Sequence, residues 1–172
     1  MKPFDVLISE NAISKRVSEL AEEINAEFKG KEVVAVCVLK GAFMFMSDVV
    51  RHLNFPITLE FLQLTSYHLA NSTGEITLVK DVDDEKIAGK NVLVFEDILD
   101  TGNSLQFILS HLAKKNPACL KTCVLLDKPE RRETESISPD FTGFIIPNKF
   151  VIGYGLDYDQ KHRNLPYIAY IE

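Results

Sequence analysis

Cysteine and histidine are scarce in this chain, and no apolar run reaches the length of a membrane span. The three cysteines, Cys37, Cys119 and Cys123, are odd in number and lie in apolar segments. That excludes a disulfide framework and suits reduced core thiols in a cytoplasmic protein. Cys119 and Cys123 have no matching second pair, so no zinc site is expected. His52, His68, His111 and His162 are scattered, and nothing pairs them with a nucleophile, which leaves Cys-His and Ser-His-Asp catalysis without a basis. The apolar runs are strand-sized, and Met1 opens directly onto Lys-Pro-Phe-Asp, so neither a signal peptide nor membrane contact is expected. Positive charge is in the minority: 19 Lys and Arg against 25 Asp and Glu give a formal charge of −6. A general nucleic-acid binder would need a basic face instead. The P-loop pattern and the G-x-G-x-x-G fingerprint are both absent, which removes the usual triphosphate and NAD readings. No repeat, low-complexity tract or linker divides the 172 residues. One domain, 1–172, is expected, long enough to bury about two thirds of its unfolded surface.

What the chain does have is alternation of strand and helix patterns. Ile13, Val17, Leu20, Ala21, Ile24 and Phe28 recur at helical spacing after Ser9, with Gly30 as the stop. Val33 to Leu39 is a continuous apolar run, the pattern of a strand buried on both faces of a parallel sheet. A helix through Phe43, Met46, Val49 and Val50 follows, then strands at 57–66 and around Ile76 to Val82. A further strand at 91–95 precedes a helix carrying Leu105, Ile108, Leu109 and Leu112, and Cys119 to Leu126 is strand again. Such alternation predicts an α/β fold with a doubly wound, mainly parallel sheet over a core of about 30–140. The strand-rich tail, about 141–172, is expected to form a small β-rich hood with the N-terminal residues.

The most informative stretch runs from Val92 to Leu105. Four apolar residues, Val92 to Phe95, end in the carboxylates of Glu96 and Asp97, with a third at Asp100. Thr101, Gly102, Asn103 and Ser104 then lead into the next helix. A turn of small residues at a helix N-terminus presents free N–H groups and suits a phosphate. Acids beside it do not, unless the phosphate's neighbours are hydroxyls or a metal. A sugar phosphate with a free diol, or one bridged by Mg²⁺, satisfies both halves. Lys40, Glu96, Asp97 and Lys128 all fall at carboxyl ends of expected strands, where open α/β sheets bind ligands.

Val94 to Leu105 resembles the phosphoribosyl-pyrophosphate (PRPP) motif of type I phosphoribosyltransferases. Leu39-Lys40-Gly41, Thr65-Ser66-Tyr67, Leu126-Asp127-Lys128-Pro129 and the segment from Lys149 through Tyr158 to Arg163 narrow it. Together they resemble the hypoxanthine (hypoxanthine-guanine) phosphoribosyltransferases in their short bacterial-type form. The resemblance implies purine salvage: a 6-oxopurine, hypoxanthine and guanine foremost, attacks C1 of PRPP to give the nucleoside monophosphate and pyrophosphate. It implies that Glu96 and Asp97 hold the ribose hydroxyls, directly or through Mg²⁺. Backbone N–H groups from Asp100 to Ser104, Gly102 and Asn103 included, would grip the 5′-phosphate with the Thr101 and Ser104 hydroxyls. Asp100 would face purine N7 as general base. Lys40, with Gly41, and Arg163 would bind pyrophosphate, and Asp157 would ligate its Mg²⁺ at the edge of the purine site. Lys128 would donate to purine O6, Phe150 would stack on the base, and Val151 would read its edge through backbone groups. Ser66 and Tyr67 would begin a lid, Ser66 to Gly74, that closes over PRPP. Family relatives also imply that the Leu39–Lys40 peptide can be cis, and a homodimer or homotetramer, for which Phe43 to Met46 offer an apolar hint. Ala42 departs from the pattern, several relatives having a second glycine there.

Three other readings compete. The base can be xanthine, which the hood determines. A non-catalytic nucleotide- or RNA-binding regulator can share the fold, against which the intact Asp100, Lys128, Phe150 and Asp157 argue. A flavodoxin- or receiver-like domain also clusters acids at strand ends, but Asp-Thr-Gly-Asn-Ser and the β-rich tail do not suit one. The charged run Glu130-Arg131-Arg132-Glu133 reads as a solvated loop without chemistry.

Overall fold

The structure, a computed structural model, describes residues 4–67, 75–134 and 137–171. A short strand β1 (Asp5–Ile8) leads to Ser9, whose hydroxyl accepts from the Ala12 N–H at 3.3 Å and so starts α1 (Glu10–Glu27). The apolar residues of α1 share one stripe, and Ile13, Val17, Leu20, Ala21 and Ile24 are buried. Six strands then build the main sheet: β2 (Val33–Leu39), β3 (Ile57–Tyr67), β4 (Glu75–Lys80), β5 (Asn91–Leu99), β6 (Cys119–Asp127) and β7 (Phe141–Ile145). Their spatial order is β4-β3-β2-β5-β6-β7. All neighbours are parallel except β4, which runs antiparallel to β3.

Strand alternation distributes the core over both faces. On one face Ala35, Cys37, Leu93 and Phe95 pack with α1 and with α2 (Phe43–Val50). On the other, Val34, Val36, Val92 and Val94 pack with Ile87 of the short α3 (Asp84–Ile87) and with Ile108 and Leu112 of α4 (Asn103–Ala113). The sheet is therefore doubly wound, as its near-continuous apolar strands require. The chain leaves β2 for β3 on one side and resumes beside β2 with β5 on the other. That reversal makes the crevice beyond β2 and β5 the ligand position of such sheets.

Two boundaries differ from expectation. Phe141–Ile145 belongs to the main sheet, parallel to β6, and not to the hood. Phe141 is buried, the Gly143 backbone lies so close to Leu125 that a Cβ would stand 2.4 Å from its carbonyl oxygen, and Arg16 of α1 donates to the Thr142 and Gly143 carbonyls at 2.8 and 3.0 Å. Those contacts tie this edge strand down. The small sheet is only β1, β9 (Ile168–Ile171) and β8 (Phe150–Ile152), in the order β1-β9-β8. Also, β5 does not stop at Phe95 but continues through Glu96 and Asp97 to Leu99, because Glu96, Ile98 and Leu99 stay in register with Val124, Leu126 and Asp127 of β6. No helix among the described residues is long and apolar enough to cross a membrane.

Candidate active site

Three backbone segments meet where β2 and β5 end. The Leu39–Lys40 peptide is cis, and Gly41 follows, packed so tightly that a Cβ there would lie 1.6 Å from Asp97 Oδ2. From the other side comes Gly155, at φ +102°, where a Cβ would stand 2.1 Å from the Gly41 carbonyl oxygen. Glycine at both positions is thus a condition of the convergence. Lys40 itself is exposed, and its Nζ donates to Gln160 Oε1 at 3.3 Å. Arg163 binds the same Gln160 oxygen at 3.3 Å and pairs with Asp157 Oδ1 at 2.7 Å. The turn between them is closed by the Gln160 N–H donating to Asp157 Oδ2 at 2.9 Å. Lys40, Gly41, Asp157 and Arg163, separated by over a hundred residues, stand together.

Glu96 and Asp97 are neighbours in the second half of β5, which runs on to Leu99. Glu96 is only 6% exposed, and its Oε2 is buried with no hydrogen-bond partner. Burial pushes its carboxyl well above the usual range, and the neighbouring Asp97 charge adds to this. Burial raises Asp97 as well, although the Ile98 N–H donates to its Oδ1 at 2.9 Å. An orphaned carboxylate oxygen in such a place is a demand for a donor or a cation.

Beyond them, Asp100 to Ser104 wrap a cavity of about 200 Å³ at the start of α4. Gly102, at φ +93°, caps that helix, leaving its first-turn N–H groups aimed outward. Thr101 is half-buried, while Asn103 and Ser104 are exposed. A second hollow of about 180 Å³ joins Glu96 and Ser104 to Val38 and to Leu64, Thr65 and Ile76 of β3 and β4. Ser66 and Tyr67 end β3, their backbones paired with Ile76 and Glu75. The expected lid continues into 68–74, which lie outside the described residues.

Lys128 ends β6. It is 5% exposed, with Nζ 3.9 Å from Asp100 Oδ2. Burial lowers its pKa below the ordinary lysine range, and the Asp100 charge only partly opposes this. In the small sheet, Val151 is buried and Phe150 is exposed, its ring edge-on to Tyr158 at 5.7 Å.

The charged run after Pro129 is exposed at Glu130, Arg131 and Glu133, as expected of a solvated loop, but it is not without contacts. A 3-10 turn, Pro129–Arg131, folds it back onto the Asp100–Ser104 loop. Arg131 Nε comes within 2.8 Å of Asp100 Oδ1, too far out of line to donate, so Oδ1 remains without a hydrogen bond. Arg132 pairs with Asp127. The Glu133 N–H donates to the Thr101 carbonyl at 2.9 Å, and the Asn103 amide donates to Glu133 Oε2 at 2.9 Å. Arg131, Glu133 and Gln160 are site neighbours that sequence reading missed. Their one signal was position, directly after Lys128-Pro129 or between Asp157 and Arg163.

Residues 7–159 match the model of the phosphoribosyl transferase domain family. Hypoxanthine phosphoribosyltransferase of Haemophilus influenzae is 46% identical over 169 residues, covering 96% of this chain and 93% of that protein. Hypoxanthine-guanine phosphoribosyltransferase of Aquifex aeolicus is 45% identical over 173 residues, covering 99% and 96%. The crystal structure of a hypoxanthine-guanine phosphoribosyltransferase from Bacillus anthracis superposes with a TM-score of 0.92 at 44% identity, covering 98% of each chain. Likeness of that extent in both sequence and fold leaves one assignment: the chain belongs to the hypoxanthine phosphoribosyltransferases of the phosphoribosyl transferase family.

Proposed function

We propose that this protein is a purine-salvage transferase that moves the 5-phosphoribosyl group of PRPP to N9 of hypoxanthine, and of guanine, releasing pyrophosphate. The observation that carries it is that the Gly41 and Gly155 backbones pack against each other and Gly41 against the Asp97 side chain, beside the hollow that Asp97 shares with Asp100, Thr101, Gly102 and Ser104. This supports reading cations, a phosphate cradle and diol acceptors around one crevice. The reaction passes through a loose, cationic ribosyl centre while charge leaves on pyrophosphate, so it needs positioning and opposite charges on its two sides.

The Asp100–Ser104 loop binds the 5′-phosphate through first-turn N–H groups of α4 and the Thr101 and Ser104 hydroxyls. Glu96 and Asp97 accept the ribose hydroxyls, which supply the donors that Glu96 Oε2 lacks. Asp100, whose Oδ1 faces Arg131 but accepts no hydrogen bond, takes the purine proton at N7 as general base. Lys128 donates to O6. An ammonium has donors only, so a 6-amino group opposes it and adenine is rejected. Phe150 stacks on the base and Val151 reads its edge by backbone. Lys40, Gly41 and Arg163 receive the pyrophosphate. Ser66 and Tyr67 open the lid segment that excludes water once PRPP is bound.

Mg²⁺ fits these residues: one orphaned carboxylate oxygen, an adjacent carboxylate and Asp157 across the crevice. Among the described residues no cluster of three or more ligating side chains forms a cage. That suits an ion which keeps its waters and is held by one or two carboxylates plus substrate oxygens. When bound, it neutralises the charge of the leaving pyrophosphate.

We place 1–172 in one functional domain, the hood strands β1, β8 and β9 covering the purine end, in a cytoplasmic protein whose Cys37 and Cys123 are free, buried thiols. The test is turnover with PRPP, Mg²⁺ and each of hypoxanthine, guanine, xanthine and adenine, with Asp100→Asn beside it. Nucleotide and pyrophosphate form with the first two and not with adenine, and Asp100→Asn lowers kcat roughly 10²- to 10⁴-fold. Turnover chiefly with xanthine would move the specificity. Nucleotide binding without turnover on any base would favour a regulator.

A further inference from the structure

Tyr154 is an unusual residue for its place. It stands between Gly153 and Gly155 in three consecutive left-handed positions, at φ +96°, +50° and +102°, a conformation that a bulky side chain rarely takes. Its ring is buried, yet it carries a hydroxyl where packing alone would accept phenylalanine. That hydroxyl donates to Asp48 Oδ2 at 2.6 Å, while Arg51 engages the other carboxylate oxygen. The two partners belong to different halves of the site. Asp48 lies on α2, which starts three residues after Lys40. Tyr154 begins the turn in which Gly155 and Arg163 exchange hydrogen bonds, the Gly155 N–H donating to the Arg163 carbonyl at 2.9 Å and Arg163 Nη1 donating to the Gly155 carbonyl at 2.7 Å.

On one side the turn borders open space. A cavity of about 630 Å³, open between α1, α2 and the turn, is lined by Asp48, Arg51, Tyr154 and Arg163. The Tyr154 ring packs into the core with Leu156, but around the open cavity, among the described residues, only its hydrogen bond to Asp48 fixes the direction in which the turn faces α2. Two other links cross the halves: the Gly41 and Gly155 backbones touch, which sets their approach but carries no directed bond, and the Lys40–Gln160–Arg163 chain lies at the exposed surface. Burial, with the Asp48 carboxylate beside it, keeps the Tyr154 phenol protonated through the working pH range, so it remains a donor.

We propose that the Tyr154–Asp48 hydrogen bond is a clamp that holds Lys40 and Arg163 at the separation one diphosphate group spans, making both clamp residues positioning residues for the transfer. The inference rests on the reading of Lys40 and Arg163 as the pyrophosphate site.

Tyr154→Phe removes one oxygen and keeps the ring. It raises the KM for PRPP and weakens binding of inorganic pyrophosphate, measured by calorimetry with Mg²⁺, each by about tenfold, the size of one hydrogen bond to a charged group. The kcat and the KM for hypoxanthine stay within about twofold. Asp48→Asn retains an acceptor oxygen and behaves as the unsubstituted protein; Asp48→Ala copies Tyr154→Phe; the double variant is no worse than either single. Unchanged pyrophosphate binding in Tyr154→Phe overturns the clamp. So does a uniform loss across all four quantities that Asp48→Asn shares, since that marks a merely structural role. The calorimetry does not require turnover. An unsubstituted protein that binds pyrophosphate but converts no purine defeats the proposed function and leaves the clamp standing.

Discussion

At Lys128 a nearly buried ammonium faces a single carboxylate at 3.9 Å. Burial favours the neutral amine, and Asp100 does not offset it fully. A substrate carbonyl at this point supplies the missing acceptor, and a charge-assisted hydrogen bond of about 1.5–3 kcal/mol is then formed in a shielded place. Lys128→Gln therefore lowers kcat/KM for hypoxanthine roughly 10- to 150-fold. It also narrows the discrimination against adenine, because an amide can accept from a 6-amino group. Steady-state kinetics with both bases measures the two effects together. The sign with pH follows from the direction of the shift: Lys128 loses its proton below the ordinary lysine range, so kcat/KM for hypoxanthine declines there as pH rises. That Lys40, Glu96, Asp97 and Lys128 gather on the carboxyl side of the sheet was legible in the sequence, because each follows an apolar run. Arg131 was not. A charge run looks the same whether it is solvated or folded back, and only the 3-10 turn at Pro129–Arg131 brings it to Asp100.

Among elements, the C-terminal end of α4 is tied to the end of β4 by one carboxylate. Asp81 Oδ2 accepts from His111 Nε2 at 2.8 Å and from Lys115 Nζ at 3.0 Å, and Lys115 also meets Asp84 of α3 at 2.5 Å. Partial burial works against ionisation of Asp81, but hydrogen bonds from Lys115 and His111 outweigh it and hold the carboxyl below its usual range. A depressed folded-state pKa contributes stability above the unfolded value, about 3.9, and loses it as pH falls through the folded one. Asp81→Asn consequently costs up to about 1 kcal/mol near neutral pH, modest because the side chain is partly exposed. The difference from the unsubstituted protein shrinks below about pH 4. Urea titrations at pH 7 and at pH 3.5 check it. Helix spacing and capping made α1 and α4 readable from the sequence. The extension of β5 through two carboxylates was not readable, since polarity normally ends a buried strand and only the register with β6 keeps it going.

For the whole molecule, α2 exposes Phe43 and Met44 (47% and 36%) beside the cavity behind the clamp. Large exposed apolar side chains at the start of a helix that buries only Phe45, Met46 and Val49 are suited to a second copy of the chain. Two copies are expected to pair through this face, in a homodimer or homotetramer. The double substitution Phe43→Glu, Met44→Glu gives monomers in sedimentation velocity while the fold, read by circular dichroism, persists. An unchanged sedimentation profile would place the interface elsewhere.

By itself the sequence determined the fold class, the order of the main elements and which polar residues follow each apolar strand. Local periodicity and residue type decide those, and both are written along the chain. Only the tertiary structure decided which strands joined the main sheet, that the Lys40 and Arg163 segments touch through Gly41 and Gly155, and that a buried phenol bridges to α2. Those are contacts between residues far apart in sequence, set by how the layers pack.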